Sequence, residues 1–67
     1  MNNLPDKMAD WAEMVSDRLV TMVNAVLGVN PGMDAADALE CVLANSCAGP
    51  KSIRIAQDKL GIPEDER

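Results

Sequence analysis

The first half of this sequence contains a series of apolar residues spaced alternately four and three residues apart. An α-helix repeats about every 3.6 residues, so this spacing places the whole series on one helical face. The series, called here the predicted seam, consists of Met8, Ala12, Val15, Leu19, Met22 and Val26. Trp11, Val23 and Leu27 widen the same face. The sequence therefore predicts a long amphipathic first helix with an apolar seam to bury.

Both ends of this helix have sequence signals. Pro5 suits the first helical turn, where a missing N–H costs nothing, and Asp6 adds negative charge near the positive end of the helix dipole. At the other end, Leu27 is followed by Gly28, which suits a left-handed residue just past a helix, and Val29 can cover the last turn. The first helix is predicted to run from about Pro5 to Leu27.

A second helix is predicted from Ala35 to Cys47, with Asp34 as its N-cap. A connection of only a few residues separates it from the first helix, so the two should pack as antiparallel neighbours. The expected fold is all-α, built on a helical hairpin in a single domain over residues 1–62. Residues 63–67 are charged and without an apolar anchor, and they are expected to form a flexible tail.

The third segment has two interpretations. Ser52 could cap a short helix from Ile53 to Leu60, with Gly61 ending it. Residues 52–55 also alternate polar and β-branched apolar side chains, as a short strand does. Helix is the favoured interpretation, and the strand remains the alternative.

The size of the chain makes a lone monomer marginal. A domain of 67 residues buries only about 60% of its unfolded surface, and small proteins commonly add disulfides, a metal or a partner chain. Cys41 and Cys47 lie on different sides of a helix, and the chain has no histidine, so neither a disulfide nor a zinc site is expected. Cys41 is expected to be a small buried packing residue.

A partner chain remains as the source of extra stability. The first helix has an apolar seam about 27 Å long at 1.5 Å per residue, and the second helix is too short to cover it. Leaving several large apolar side chains in water is rare among soluble monomers. A homodimer packed through the first helix is therefore predicted. The alternative is a monomeric three-helix bundle in which the third helix folds back over the seam.

Composition bears on function mainly by exclusion. Without histidine or tyrosine, the chain lacks the usual groups for acid–base catalysis, so neither an enzyme nor a cofactor is expected. A net charge of -5 disfavours direct contact with nucleic acid, which requires neutralised phosphates. No uncharged run reaches the length of a membrane span, and the charged first twenty residues do not resemble a secretory signal. A cytoplasmic protein is expected.

The acidic surface of the first helix is the candidate binding surface. Five residues are predicted to contact a partner: Asp10, Trp11, Glu13, Met14 and Asp17. Carboxylates attract basic surfaces over long range, and the two apolar side chains would serve as anchors. The predicted function is a non-enzymatic regulator or inhibitor, encoded by a phage or mobile element, that blocks a nucleic-acid-handling host protein. Anti-CRISPR proteins and anti-activators work in this way.

About fifty residues are also similar, in the order and spacing of their segments, to the N-terminal dimerisation region of phage Mor-type transcription activators. The similar segments are the first helix, the Leu27-Gly28-Val29-Asn30-Pro31 turn, the 36–43 helix and residues 49–55. This resemblance implies a dimer with Ile53 and Ile55 in an intersubunit strand. The sequence departs from the family at Arg54, where the family has an aromatic residue, and it lacks the family's DNA-binding domain. The alternative function is thus a dimerising fragment of a transcription regulator, with weak DNA contact by Lys51, Arg54 and Lys59.

Overall fold

The computed structural model describes the backbone of residues 4–67 and the side chains of residues 10–67. Over this range the backbone forms helices and turns and contains no strand. The elements are α1 (Leu4–Val29), α2 (Ala35–Ala44), α3 (Pro50–Leu60) and a 3-10 helix (Glu64–Glu66). The all-helical prediction is confirmed, and residues 52–55 lie in α3, so the alternative of a strand there is wrong.

Helix α1 continues past the glycine that was predicted to end it. Gly28 lies inside α1 and has no positive φ, so the left-handed cap predicted at this residue is wrong. Asn30 ends the helix instead: its backbone N–H and its side-chain Nδ2 both donate to the Val26 carbonyl, at 2.8 and 3.1 Å. Pro31 follows, and the residue before a proline is disfavoured in helical conformation. The stop signal is therefore Asn-Pro.

Helix α2 begins where predicted and ends three residues earlier than predicted. Asp34 occupies the N-cap position in extended conformation, although its side chain makes no capping hydrogen bond. At the other end Asn45 donates from its side chain to the Cys41 carbonyl, at 3.0 Å, and from its backbone to the Val42 carbonyl. This local pairing competes with continuation of the helix, so α2 does not extend to Cys47.

Helix α3 begins at Pro50, not at Ile53. Gly49 is its N-cap and Pro50 occupies the first turn, where a proline is well tolerated. Ser52 therefore lies inside the helix, buried at its interface, and does not cap it. Gly61, with φ of 71°, ends α3. The N–H of Ile62 donates to the Gln57 carbonyl and that of Gly61 to the Asp58 carbonyl, which is a Schellman motif.

The residues after Ile62, for which a flexible tail is predicted, contact the end of α3. The 3-10 helix follows Pro63, and the Arg67 guanidinium donates two hydrogen bonds to the Ile62 carbonyl, at 3.0 and 2.8 Å. The same guanidinium forms an ion pair with Asp58 at 2.7 Å. Arg67 thus ties this segment to the last turn of α3.

The core lies where α2 and α3 both pack against α1. Leu19 and Val23 are the largest apolar side chains among those that are almost completely buried. The other members of the core come from α2, α3 and the last residue of the Schellman motif: Ala38, Leu39, Val42, Ala56 and Ile62. Helix α3 therefore covers part of the α1 surface that a second chain was predicted to cover.

Candidate functional site

The predicted seam is divided between the core and the solvent. Ala12 and Leu19 are buried by the protein's own helices, and Val15 and Val26 are half-buried. Met22 is 40% exposed, and the Met8 side chain lies outside the described residues. The buried line of α1 instead includes Ser16 and Val23, which lie four residues after Ala12 and Leu19. The four- and three-residue spacing of this line could have identified it, but the serine interrupts its apolar pattern.

Large apolar side chains remain in solvent on the other side of α1. Trp11 is 64% exposed and Met14 is 48% exposed. Together with Asp10, Arg18, Thr21 and Met22, which are also exposed, they form a surface that we call the outer face of α1. Both predicted apolar anchors, Trp11 and Met14, are therefore accessible, and they lie beside the acidic residues predicted to bind the same partner.

Two of those acidic residues already have a counterion. The Lys59 ammonium, from the last turn of α3, is 3.1 Å from a Glu13 carboxylate oxygen and forms a short hydrogen bond with Asp17. It also donates to Ser16 Oγ at 3.3 Å. Ser16 in turn donates to the Glu13 carbonyl, so the hydroxyl is satisfied despite its burial. Glu13 and Asp17 thus form a clamp for an ammonium group and connect α3 to α1.

The electrostatics follow from this geometry. The hydrogen bonds that the Lys59 ammonium donates to Asp17 and then to Glu13 raise the pKa of Lys59 above its ordinary value of 10.5, and partial desolvation opposes them. The lysine is therefore fully charged at neutral pH and offsets part of the negative field of α1. Asp10 is exposed and forms no ion pair with a side chain that the structure describes.

An apolar groove lies next to Trp11, where the first turns of α1 meet the connection between α2 and α3. Its volume is about 420 Å³. The lining residues are Trp11, Ala12, Val15, Cys47, Ala48, Gly49, Lys51 and Ser52. The indole and the Lys51 ammonium are the groups in it suited to binding, and sequence reasoning did not bring these two regions together.

Two thiols add to the charged groups at the surface. Cys41 and Cys47 are both free and exposed, so the expectation that Cys41 is buried is wrong. The side chain at position 41 points away from the core that Val42 enters. Among residues 10–67, no three cysteine, aspartate or glutamate side chains lie close enough together to hold a metal ion.

Helices in the described part of the chain are too short or too polar to cross a membrane. Comparison with protein-family models, with curated protein sequences and with solved structures finds no match to this chain.

Proposed function

We propose that this protein is a non-enzymatic regulator or inhibitor that binds another protein through the outer face of α1. The observation that carries this proposal is the exposure of Trp11 and Met14 beside carboxylates on the same turns of α1. Exposed apolar clusters on small proteins commonly mark binding sites, and tryptophan is enriched among the residues that dominate binding energy. Methionine adds a flexible contact that adapts to its partner.

The partner is proposed to be basic. A net charge of -5 favours encounter with positively charged surfaces, and such surfaces are typical of proteins that handle nucleic acid. The clamp of Glu13 and Asp17 around Lys59 supports this choice, because its geometry fits an ammonium group. A lysine of the partner would compete with Lys59 for the clamp. An anti-CRISPR-like or anti-activator-like inhibitor, encoded by a phage or mobile element and acting in the host cytoplasm, would work in this way.

The test begins with capture of partners from a host lysate on the immobilised protein, followed by affinity measurements with the purified partner. Three single variants are compared: Trp11→Ser, Asp10→Lys and the control Glu40→Lys, which makes the same charge change at an exposed position of α2. Reversal of Glu13 or Asp17 is avoided, because it would place a lysine beside Lys59 and disturb the contact between α1 and α3.

We expect Trp11→Ser to lower the affinity at least tenfold, as loss of a hot-spot residue does. Asp10→Lys should lower it less, as a change of charge at the rim of an interface does. Glu40→Lys should bind as the wild type does, and duplex DNA or RNA should compete with the protein for its partner. Equal affinity of all three variants, or a partner without a basic surface, would contradict the proposal.

Self-association through α1 is part of the same proposal. Met22 and Val29 remain exposed along α1 in addition to Trp11 and Met14, so the helix retains apolar surface after α2 and α3 have packed. A second copy of the chain is a partner that is always present, and it could cover this apolar surface.

The alternative function, a Mor-like dimerising transcription regulator, has less support from the geometry. Of the three basic residues proposed for DNA contact, Arg54 is paired with Glu64 at 3.3 Å and Lys59 is held by the clamp. Lys51 is then the remaining cation for a phosphate. Retention of a labelled duplex at low salt in a mobility-shift titration, lost in Lys51→Ala, would favour this alternative over the inhibitor.

A further inference from the structure

The outer face of α1 contains a row of residues that is complementary to itself. Asp10, Met14 and Arg18 follow one another at intervals of four residues, and all three are exposed. Neither charged residue forms an ion pair with a side chain that the structure describes. If two such helices meet antiparallel about a two-fold axis at Met14, Asp10 of each copy lies opposite Arg18 of the other.

A notch on the same face specifies the same alignment independently. It has a volume of about 430 Å³ and is lined only by residues of α1: Met14, Asp17, Arg18, Thr21 and Met22. The first four have the spacing of a hole in knobs-into-holes packing, whose centre lies between Asp17 and Arg18. The two-fold axis at Met14 brings Trp11 of the second copy to that level. The ion pairs and the insertion of Trp11 into the notch therefore require the same alignment of the two helices.

We infer that a second copy of this chain docks antiparallel on the outer face of α1, with Trp11 of each copy in the notch of the other. This inference specifies the register of the self-association proposed above and so rests on that part of the proposed function. It does not use the predicted seam, since Ala12 and Leu19 are buried within one chain. Lys59 supports the docking, because it offsets the charge of Asp17 where the incoming indole would lie.

The contact is small. From Asp10 to Met22 the helix is about 18 Å long at 1.5 Å per residue, so the buried area falls below the roughly 1,200 Å² of a standard stable interface. Association is therefore weak and depends on concentration. Because the dimer covers Trp11 and Met14, it also competes with the binding of the proposed partner.

The test is a charge exchange measured by sedimentation equilibrium on the full chain, up to millimolar concentration. Asp10→Arg and Arg18→Asp are compared singly and together. Each single variant replaces two symmetric attractions by two like-charge contacts, and we expect a loss of association of about tenfold. The double variant should associate within a few-fold of the wild type. Residues eight apart on one helix lie about 12 Å apart, so the rescue cannot come from a pair within one chain.

A control matches the charge change of Asp10→Arg elsewhere on the surface. Glu40→Arg should associate as the wild type does, since Glu40 is exposed on α2. Trp11, the one tryptophan, reports the docking directly: its emission should shift to shorter wavelength as concentration rises. Circular dichroism checks that every variant folds.

The outcomes separate the register from the wider proposals. A wild type that remains monomeric at all concentrations would overturn both the register and self-association. Dimerisation that the single variants do not weaken, or that the double variant does not rescue, would overturn the register alone. Neither result depends on capture of a basic partner, which tests the inhibitor function separately.

Discussion

Replacing Gly28 by alanine and, separately, Gly61 by alanine should change the stability of this protein in opposite directions. The two glycines have nearly the same neighbours, Leu-Gly-Val and Leu-Gly-Ile. Their backbones differ: Gly28 lies within α1, whereas Gly61 has φ of 71° and forms the Schellman turn that ends α3. A Cβ at either position would meet nothing within 4 Å. Backbone conformation alone therefore determines the sign of each effect.

The expected magnitudes follow from that conformation. Alanine is favoured over glycine in a helix by roughly 0.8 to 1.0 kcal/mol. Gly28 is in the last turn of α1, so we expect Gly28→Ala to raise the free energy of unfolding by about 0.5 kcal/mol or slightly more. Left-handed conformation costs an L-residue about 1 to 2 kcal/mol, and Gly61→Ala should lower the free energy of unfolding by that amount. The two variants should thus differ by about 2 kcal/mol.

Urea unfolding followed by circular dichroism at 222 nm measures both changes, with the wild type as reference. For a domain of this size, 1 kcal/mol corresponds to roughly 4 to 8 °C in Tm, so thermal unfolding gives an independent readout. If Gly28→Ala destabilised the protein as Gly61→Ala does, Gly28 would be a left-handed cap and the description of the end of α1 would be refuted.

Three further predictions concern the core, the clamp and the thiols. Leu19→Ala should lower the free energy of unfolding by about 2 to 5 kcal/mol, because Leu19 is 1% exposed; a loss below 1 kcal/mol in urea unfolding would contradict its central position. Lys59 binds its proton more tightly when folded, since its pKa is raised. Its contribution to stability is therefore complete below about pH 10.5 and is lost as pH rises through the folded pKa. In thermal unfolding measured as a function of pH, Lys59→Met should reduce this loss of stability at alkaline pH. An unchanged dependence of Tm on pH would argue against the clamp. Both Cys41 and Cys47 should react with iodoacetamide in the folded protein, as mass spectrometry can show; protection of either thiol until unfolding would indicate that it is buried.

Local signals in the sequence account for the helices themselves. The alternating four- and three-residue spacing predicted α1, and Asp34 marked the start of α2 correctly. The Leu-Gly-Ile signal also identified the end of α3. These features depend on residues within a turn or two of one another, where helical geometry and backbone preference act directly.

The similar Leu-Gly-Val signal at residues 27–29 predicted the end of α1 wrongly, because Asn30 and Pro31 end the helix two residues later. The same limitation applies to the capping role predicted for Ser52, since Pro50 already begins α3. In both places a proline marks the boundary, because its ring fixes its own φ and disfavours helical conformation in the residue before it.

Sequence patterns alone establish that this chain forms helices, where most of them lie, and that its surface is acidic. Which side of α1 is covered depends instead on where α2 and α3 pack against it. Their packing buries Ser16 and exposes Met22, although polarity alone suggests the reverse. It also brings Lys59 to Asp17, which is 42 residues away along the chain, and no helical period encodes a contact over that separation. The distinction between core and binding surface is therefore a property of the packed molecule.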